Sequence, residues 1–224
     1  DFLDEAGENL AAFRVLAVDL PGFGWSQPPP AAWGTEEYAG HILRLMQETG
    51  IDRAALVGHS FGGRIAIALA AAEPQRVSRL ALVASAGVRP PLGAGYTLRV
   101  ATAKLVKGFF SLPGWGATGR RIIAKWFARV GSRDYRTAGA MRPTLVKVVN
   151  EDLTPLLPAI QAPTLILWGD RDQEVPRSAM ETMATRIPRS RLVVFAGAGH
   201  FPFQDAPEEF GRALREFLVA GESP

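Results

Sequence analysis

One stretch of the chain is more informative than any other, Ala55-Leu-Val-Gly-His-Ser-Phe-Gly-Gly-Arg-Ile-Ala-Ile-Ala-Leu69. Its opening apolar residues predict a buried strand, and the run from Ile65 predicts a helix of small side chains. Between them, Gly58-His-Ser-Phe-Gly62 fits the pattern G-x-S-x-G. In that pattern a sharp turn holds the serine in strained backbone geometry and lifts its hydroxyl above the sheet edge. We expect the flanking glycines because a side chain there would collide with the strand or the helix.

The turn is also expected to stabilise negative charge. The N-terminus of the predicted helix carries partial positive charge, and the N–H of Phe61 would point at an oxyanion that develops beside Ser60. The alternative is a glycine-rich turn with an incidental serine. The strand before the turn and the helix after it favour a catalytic serine.

Outward from this turn, apolar strands alternate with amphipathic helices, a pattern typical of an α/β protein with a mostly parallel sheet. Helices are predicted over 35–49, 65–72, 177–186 and 208–219. The predicted strands are Phe13–Val18, Ala54–Val57, Arg79–Ala84, Thr164–Trp168 and Arg191–Phe195.

The run from Ala86 to Ile160 breaks this alternation. It is helical in pattern, contains twelve basic and three acidic residues, and is too long for an ordinary connection. We therefore predict a helical cap over 86–160, inserted before a strand that leads into an acidic turn. The core would comprise residues 1–85 and 161–224.

A serine nucleophile needs a base, and the chain has three histidines. His41 falls within a predicted helix and is expected to be a surface or packing residue. His59 is next to Ser60, and neighbours on such a turn point apart. His200 follows the strand that ends at Phe195, so it should reach the carboxyl edge of the sheet, where Ser60 also emerges. His200 is the expected base.

An acid should orient the histidine. Asp170, Asp172 and Glu174 all follow the strand Thr164–Trp168. Residue chemistry alone does not choose among the three, because all are expected at the same edge.

Together these motifs resemble the α/β-hydrolase fold over nearly the whole chain. Asp19-Leu-Pro-Gly-Phe-Gly24 with Ser26 is similar to the family's D-x-P-G-x-G-x-S loop, and Gly58–Gly63 to its nucleophile elbow. Leu167-Trp-Gly-Asp-Arg-Asp172 resembles the acid-bearing turn, and Gly199-His200 the final motif. The resemblance implies Ser60 as nucleophile, Asp172 as acid, His200 as base and Phe61 as an oxyanion-hole residue. It also implies that Asp19 braces its loop.

One departure from the family concerns the region ahead of Asp19. Family members carry about three strands there, and the third ends in an H-G motif that completes the oxyanion hole. No such motif precedes Asp19 here. We therefore expect a truncated gene or a partial chain, with a gap or altered pairing between the strands at Phe13–Val18 and Ala54–Val57, and an uncertain activity for the chain as written.

Composition excludes several chemistries. The chain of 224 residues has no cysteine, so it has no thiolate zinc site, disulfide or cysteine nucleophile. It has no apolar run long enough to cross a bilayer, so we expect no stable membrane insertion. No aromatic–basic stacking motif indicates nucleic acid binding. We expect no metal or organic cofactor, a small-molecule substrate and a cytoplasmic location.

These features predict a serine hydrolase of the carboxylesterase type that acts on ester-like substrates through an acyl-enzyme. Two alternatives stay open at this stage. One is a carbon–carbon bond hydrolase of ring-cleavage diketones, since capped members of the family with this triad include such enzymes. The other is a binding protein that kept the fold and lost catalysis.

Overall fold

The structure is a computed structural model that describes residues 13–88 and 139–220. Its sheet has four strands, each parallel to the next, in the order in which they follow one another along the chain. They are β1 (Ala54–His59), β2 (Val77–Val83), β3 (Thr164–Gly169) and β4 (Ser190–Phe195). The predicted α/β-hydrolase fold, with its mostly parallel sheet, is confirmed.

The helices of the described residues flank this sheet. They are α1 (Thr35–Glu48), α2 (Phe61–Ala72), α3 (Arg142–Asn150), α4 (Arg177–Arg186), α5 (Pro202–Asp205) and α6 (Pro207–Val219). Short 3-10 turns span Pro74–Arg76, Gly139–Met141 and Thr154–Ala159. The four helices and the last four strands predicted from the sequence are present, with bounds that differ by a few residues.

Both faces of the sheet are covered. Leu80 and Leu82 of β2 pack into one apolar cluster with residues of α1, α2 and α4. Ala81 and Val83, which alternate with them, pack into a second cluster with α6. Alternate strand residues point to opposite faces, so the part of β2 that is buried on both sides, Leu80–Val83, is apolar at every position. β3 follows the same rule, and all six of its residues are buried.

Helix α6 illustrates how sequence spacing produces this packing. Phe210, Leu214 and Leu218 recur every four residues, so they form one stripe along the helix. All three are buried in the second cluster. Burial of each such side chain contributes about 1.5–3 kcal/mol, which holds α6 on the sheet.

The predicted strand over Phe13–Val18 is wrong. These residues form no strand, and Val15 and Leu16 are 46% and 51% exposed. A strand needs a partner ladder, and β1 pairs only with β2 among the described residues. Between residues 13–18 and β1 lies an apolar cleft of about 1180 Å³. Of the two expectations for this position, a gap or an altered pairing, the described residues show a gap.

Most of the predicted cap lies outside the described residues, which include only 86–88 and 139–160 of it. Within that part, Arg64 of α2 donates hydrogen bonds to the carbonyl oxygens of Val148, at 2.5 Å, and Glu151, at 2.7 Å. The Glu151 carboxylate in turn accepts hydrogen bonds from the backbone N–H and the hydroxyl of Thr35. Helix α3 is therefore fastened to both α1 and α2. The division into core and cap stays a prediction.

Candidate active site

Ser60 lies between the last residue of β1 and the first residue of α2, in a left-handed backbone conformation with φ 49° and ψ −107°. A non-glycine residue in such a conformation costs about 1–3 kcal/mol and persists only when its surroundings enforce it. Here the Ser60 N–H donates to the Val83 carbonyl at 2.9 Å. The Ser60 carbonyl accepts from Gly63 and Ala86 at 3.1 and 3.2 Å. These three bonds hold the strained turn that the sequence predicted.

Two of the three glycines around the turn are required by space. A Cβ at Gly58 would lie 2.5 Å from the Gly62 carbonyl oxygen, and one at Gly63 would lie 2.6 Å from Cβ of Ser85. Gly62 is different, since nothing lies within 4 Å of the Cβ position. The prediction of a collision at Gly62 is therefore wrong. The positions where a side chain would collide are Gly58, against the Gly62 backbone, and Gly63, against Ser85.

The Ser60 hydroxyl and the N–H of Phe61 have no hydrogen-bond partner within residues 13–88 and 139–220. The Phe61 N–H is one of the unpaired donors at the start of α2, where the helix dipole adds positive potential. The Phe61 ring is fixed beside it by contacts with Phe23 and Tyr38, at centroid distances of 5.4 and 5.1 Å. Both groups are thus available to a ligand at the turn.

Asp172 and His200 are brought together, although they are 28 residues apart in the chain. Nδ1 of His200 lies 2.9 Å from Oδ2 of Asp172, and the two side chains are 8% and 0% exposed. The other carboxylate oxygen, Oδ1, accepts the N–H groups of Glu174 at 2.7 Å and Val175 at 3.0 Å. Because both oxygens are bonded, the carboxylate has a fixed orientation. It holds the Nδ1–H of His200 and leaves Nε2 as the basic nitrogen.

The other two acids of this turn have different positions. Oδ1 of Asp170 accepts the N–H of Gly197 at 2.7 Å, so Asp170 braces the loop after β4. Glu174 lies on the opposite side of the imidazole, with Oε2 3.4 Å from Nε2 of His200, and its side chain is 60% exposed. Residue chemistry alone did not choose among the three acids as the partner of His200. Their positions do, because Asp172 is the one at Nδ1.

The loop that carries His200 is held on both sides. Before the histidine, the N–H of Gly199 donates to Oδ2 of Asp205 at 2.7 Å. At the histidine itself, the carbonyl oxygen lies 2.9 Å from Nε2 of His59. Neither contact was predicted from the sequence. The His59 contact joins segments 141 residues apart, which no local pattern encodes, whereas the bond from Gly199 to Asp205 spans only six residues.

His59 is half-buried beside His200, with the ring centroids 4.8 Å apart. Burial lowers the pKa of His59, and the positive charge that His200 can carry lowers it further. The hydrogen bond to the His200 carbonyl and the charge of Asp172 oppose these effects. His59 is thus predominantly neutral near pH 7, with the proton on Nε2 donated to the carbonyl. His41, by contrast, packs against Trp33 at 5.8 Å, in agreement with its predicted packing role.

Asp19 braces its own loop, as expected. Its Oδ2 accepts the N–H of Trp25 at 3.0 Å, and its carbonyl accepts the hydroxyl of Ser26 at 2.7 Å. Gly24 has a φ of 52°, and a side chain there would meet the Asp19 carboxylate. The D-x-P-G-x-G-x-S pattern is therefore a self-contained turn whose acid is already bonded.

Two further observations concern the described residues as a whole. They contain no group of three or more histidine, aspartate or glutamate side chains that could hold a metal ion. They contain no helix with the length and apolar character needed to cross a membrane. The cleft beside β1 is a separate feature, because neither Ser60 nor Asp172 nor His200 lines it.

Comparison with known proteins gives a consistent result. The model of the Alpha/beta hydrolase family matches residues 1–213. The chain is 30% identical over 220 residues to a 2-hydroxymuconate semialdehyde hydrolase of Pseudomonas putida, covering 94% of this chain and 78% of that protein. It is 32% identical over 221 residues to a pimeloyl-[acyl-carrier protein] methyl ester esterase of Citrobacter koseri, covering 92% and 84%. Among solved structures, it superposes on a thermophilic esterase from Thermogutta terrifontis with a TM-score of 0.69 and 28% identity, covering 97% and 84%.

Proposed function

Because the chain belongs to the alpha/beta hydrolase family, we propose that it is a serine hydrolase that cleaves ester-like small-molecule substrates through an acyl-enzyme. One observation carries the proposal. A buried Asp172–His200 pair, 2.9 Å apart, lies beside the turn on which Ser60 is held with a positive φ. A carboxylate that orients an imidazole next to a serine on a sharp strand-to-helix turn is the arrangement that makes a hydroxyl nucleophilic.

The proposed reaction has two halves. Oγ of Ser60 attacks the ester carbonyl carbon while Nε2 of His200 accepts the hydroxyl proton, and the carbonyl oxygen becomes an oxyanion. The C–O bond of the ester then breaks, and the imidazolium gives its proton to the leaving alcohol. In the second half, water attacks the acyl-enzyme, His200 takes a proton from that water, and the acid leaves as Ser60 regains its proton.

Asp172 and Phe61 stabilise the charges that form. Asp172 stabilises the imidazolium through the hydrogen bond at Nδ1. The Phe61 N–H, at the positive end of α2, donates to the oxyanion. One such donor typically lowers the barrier by about 3–4 kcal/mol. Glu174 is largely exposed, so its carboxylate can turn into solvent and leave Nε2 to Ser60.

The relatives favour an ester as substrate and keep one alternative open. A methyl ester esterase is 32% identical to this chain, and a structurally similar esterase supports the same chemistry. The 30% identity to a 2-hydroxymuconate semialdehyde hydrolase favours a second candidate, the hydrolysis of a carbon–carbon bond in a ring-cleavage diketone. Both candidates would use the same serine, histidine and aspartate. The predicted cap would cover Ser60 and set the choice between them.

The absence of cysteine is compatible with a reducing compartment, and we propose that the protein acts in the cytoplasm on a free small molecule. Fractionation of cells that express the native gene tests this location. Recovery with the membrane pellet or outside the cell would contradict it.

Labelling with a fluorophosphonate probe tests the serine hydrolase directly, because the probe forms a covalent bond only with an activated serine. We expect labelling of the wild type, none of Ser60→Ala and strongly reduced labelling of His200→Ala. Ser178→Ala and His41→Ala are matched controls for the two residue types and should label like the wild type. Absence of labelling in a folded wild type would contradict the proposal and favour a non-catalytic binding protein.

A substrate panel then separates the two candidate reactions. p-Nitrophenyl esters of increasing acyl length report esterase activity, and a vinylogous diketone reports cleavage of a carbon–carbon bond. We expect a higher kcat/KM for at least one ester than for the diketone. The reverse order would favour the second candidate.

A further inference from the structure

The side chain of His59 has no role in the proposed reaction, yet it contacts the loop of the catalytic base. His59 is the last residue of β1 and immediately precedes Ser60. Its Nε2 lies 2.9 Å from the carbonyl oxygen of His200, 141 residues away. The strand that carries the nucleophile is therefore bonded directly to the backbone of the base.

The surroundings of His59 fix its ring in this position. Besides His200, it contacts Phe201 at a centroid distance of 5.1 Å and Phe203, edge to face, at 5.3 Å. These rings lie on the His200 loop and the start of α5. A neutral imidazole with its proton on Nε2 can do two things here. Its ring packs against the phenyl groups, and its N–H donates a hydrogen bond to the His200 carbonyl.

Three anchors hold His200, and they come from different parts of the fold. Asp172 holds the imidazole from the turn after β3, and Asp205 holds the preceding N–H from α5. Neither of these two is on the nucleophile strand. His59 lies on that strand, so its hydrogen bond connects the position of the base to the position of Ser60.

We propose that His59 is a positioning residue that keeps the His200 loop against the serine turn, so that Nε2 of His200 can accept the proton of the Ser60 hydroxyl. The inference rests on the proposed function. It adds a residue that touches no substrate and acts through the backbone of His200. Small displacements of a catalytic group can cost about a hundredfold in rate, which makes a single anchoring bond significant.

Three substitutions separate the hydrogen bond from the packing. His59→Gln places an amide N–H at about the reach of Nε2, and His59→Asn carries the same group one methylene shorter. His59→Phe keeps an aromatic ring and has no donor. We expect His59→Asn and His59→Phe to lower kcat for a p-nitrophenyl ester about 10- to 100-fold with KM changed less than about twofold. His59→Gln should stay within a few-fold of the wild type.

Several outcomes would overturn the proposal. One is an unchanged kcat in both His59→Asn and His59→Phe. Another is equal loss in Gln, Asn and Phe variants that melt at the wild-type temperature, which would assign His59 to packing alone. A raised KM with wild-type kcat would assign it to substrate binding. If His59→Phe fails to fold, the Gln and Asn pair still decides, because the two amides differ only in reach.

A second measurement keeps the test separate from the proposed function. Hydrogen–deuterium exchange of the peptide spanning 197–206 should rise in His59→Asn relative to His59→Gln, with or without catalysis. Equal exchange in the two variants would overturn the proposal that the hydrogen bond of His59 holds the His200 loop. If the exchange differs but the wild type neither labels with fluorophosphonate nor hydrolyses any ester, the proposed function fails and the catalytic role of His59 fails with it.

Discussion

β1 and β3 each deliver a site residue at the carboxyl end of a strand, and they are supported very differently. β3 pairs on both sides, and all six of its residues are buried. β1 pairs on one side only among the described residues, and its alternate residues Ala55 and Val57 are exposed toward the cleft. Asp172 thus follows a strand at the centre of the core, and Ser60 follows a strand at a free edge.

This difference shows two ways of holding a residue of the candidate site. The Asp172–His200 pair is buried, and the Asp172 carboxylate bonds to Nδ1 of His200 and to the N–H groups of Glu174 and Val175. Ser60 is held by the local backbone instead, through bonds to Val83, Gly63 and Ala86. We therefore expect hydrolytic activity to be sensitive to single-atom changes in the Asp172 carboxylate. We also expect the free energy of unfolding to respond much more strongly to substitutions in β3 than in β1.

The largest effect is expected from a single-atom change at the acid. Asp172→Asn keeps the shape of the side chain but removes the charge and favours the wrong tautomer of His200, so kcat/KM for an ester should fall about 10⁴-fold. Asp170→Asn is the matched control, because among the described residues its carboxylate accepts only the loop N–H of Gly197. It should keep activity within a few-fold. Equal losses in the two variants would contradict the assignment of Asp172.

The next effect concerns the strands themselves. Leu167→Ala in β3 removes a fully buried side chain and should lower the free energy of unfolding by about 2–5 kcal/mol. Val57→Ala in β1 removes a side chain that is 37% exposed beside the cleft, and should cost about 1 kcal/mol or less. Urea denaturation measures both values. Similar losses would show that the free edge of β1 is covered in solution.

Sequence patterns predicted the fold well wherever a segment has a local period and a partner. Leu80–Val83 of β2 and Leu165–Trp168 of β3 are apolar at every position because both faces are covered, and α6 shows its stripe every fourth residue. The run Phe13–Val18 has the same apolar character and forms no strand. Strand formation depends on a neighbour that supplies the other half of the ladder, and a local pattern carries no information about that neighbour.

The candidate site was predicted in part for a similar reason. The serine turn has a local signature, so Ser60 and Phe61 could be identified from the sequence. Asp172 was chosen over Asp170 and Glu174 by resemblance, and it is the acid found at Nδ1 of His200. The His59 contact could not be predicted, since it joins segments 141 residues apart whose meeting depends on the whole fold. The bond from Gly199 to Asp205 was not predicted either, although it spans only six residues.

A smaller effect distinguishes the two neighbouring glycines of the serine turn. Gly63→Ala would push a methyl group into Ser85, which is fully buried, so unfolding should be easier by about 1–3 kcal/mol. Gly62→Ala meets open space in the first turn of α2 and should be neutral or stabilising by up to about 1 kcal/mol. Thermal or urea unfolding of the pair measures the difference. A larger loss at Gly62 would contradict the described turn.

The smallest expected effect is a dependence of folding stability on pH that arises from His59. Burial lowers the pKa of His59 below its ordinary 6.5, and His200 and Asp172 are the ionisable groups that act on it with opposite signs. The unfolded chain therefore binds a proton at higher pH than the folded chain does. The stability that depends on neutral His59 is complete above pH 6.5 and is lost progressively as the pH falls below that value.

His59→Gln removes this titration and keeps the hydrogen bond, so it isolates the effect. The free energy of unfolding of the wild type, relative to that of His59→Gln, should decline progressively as the pH falls below 6.5. Other groups titrate in both proteins and cancel in the difference. Parallel curves would mean that folding leaves the pKa of His59 unchanged, and a difference that grows as the pH falls would mean that folding raises it.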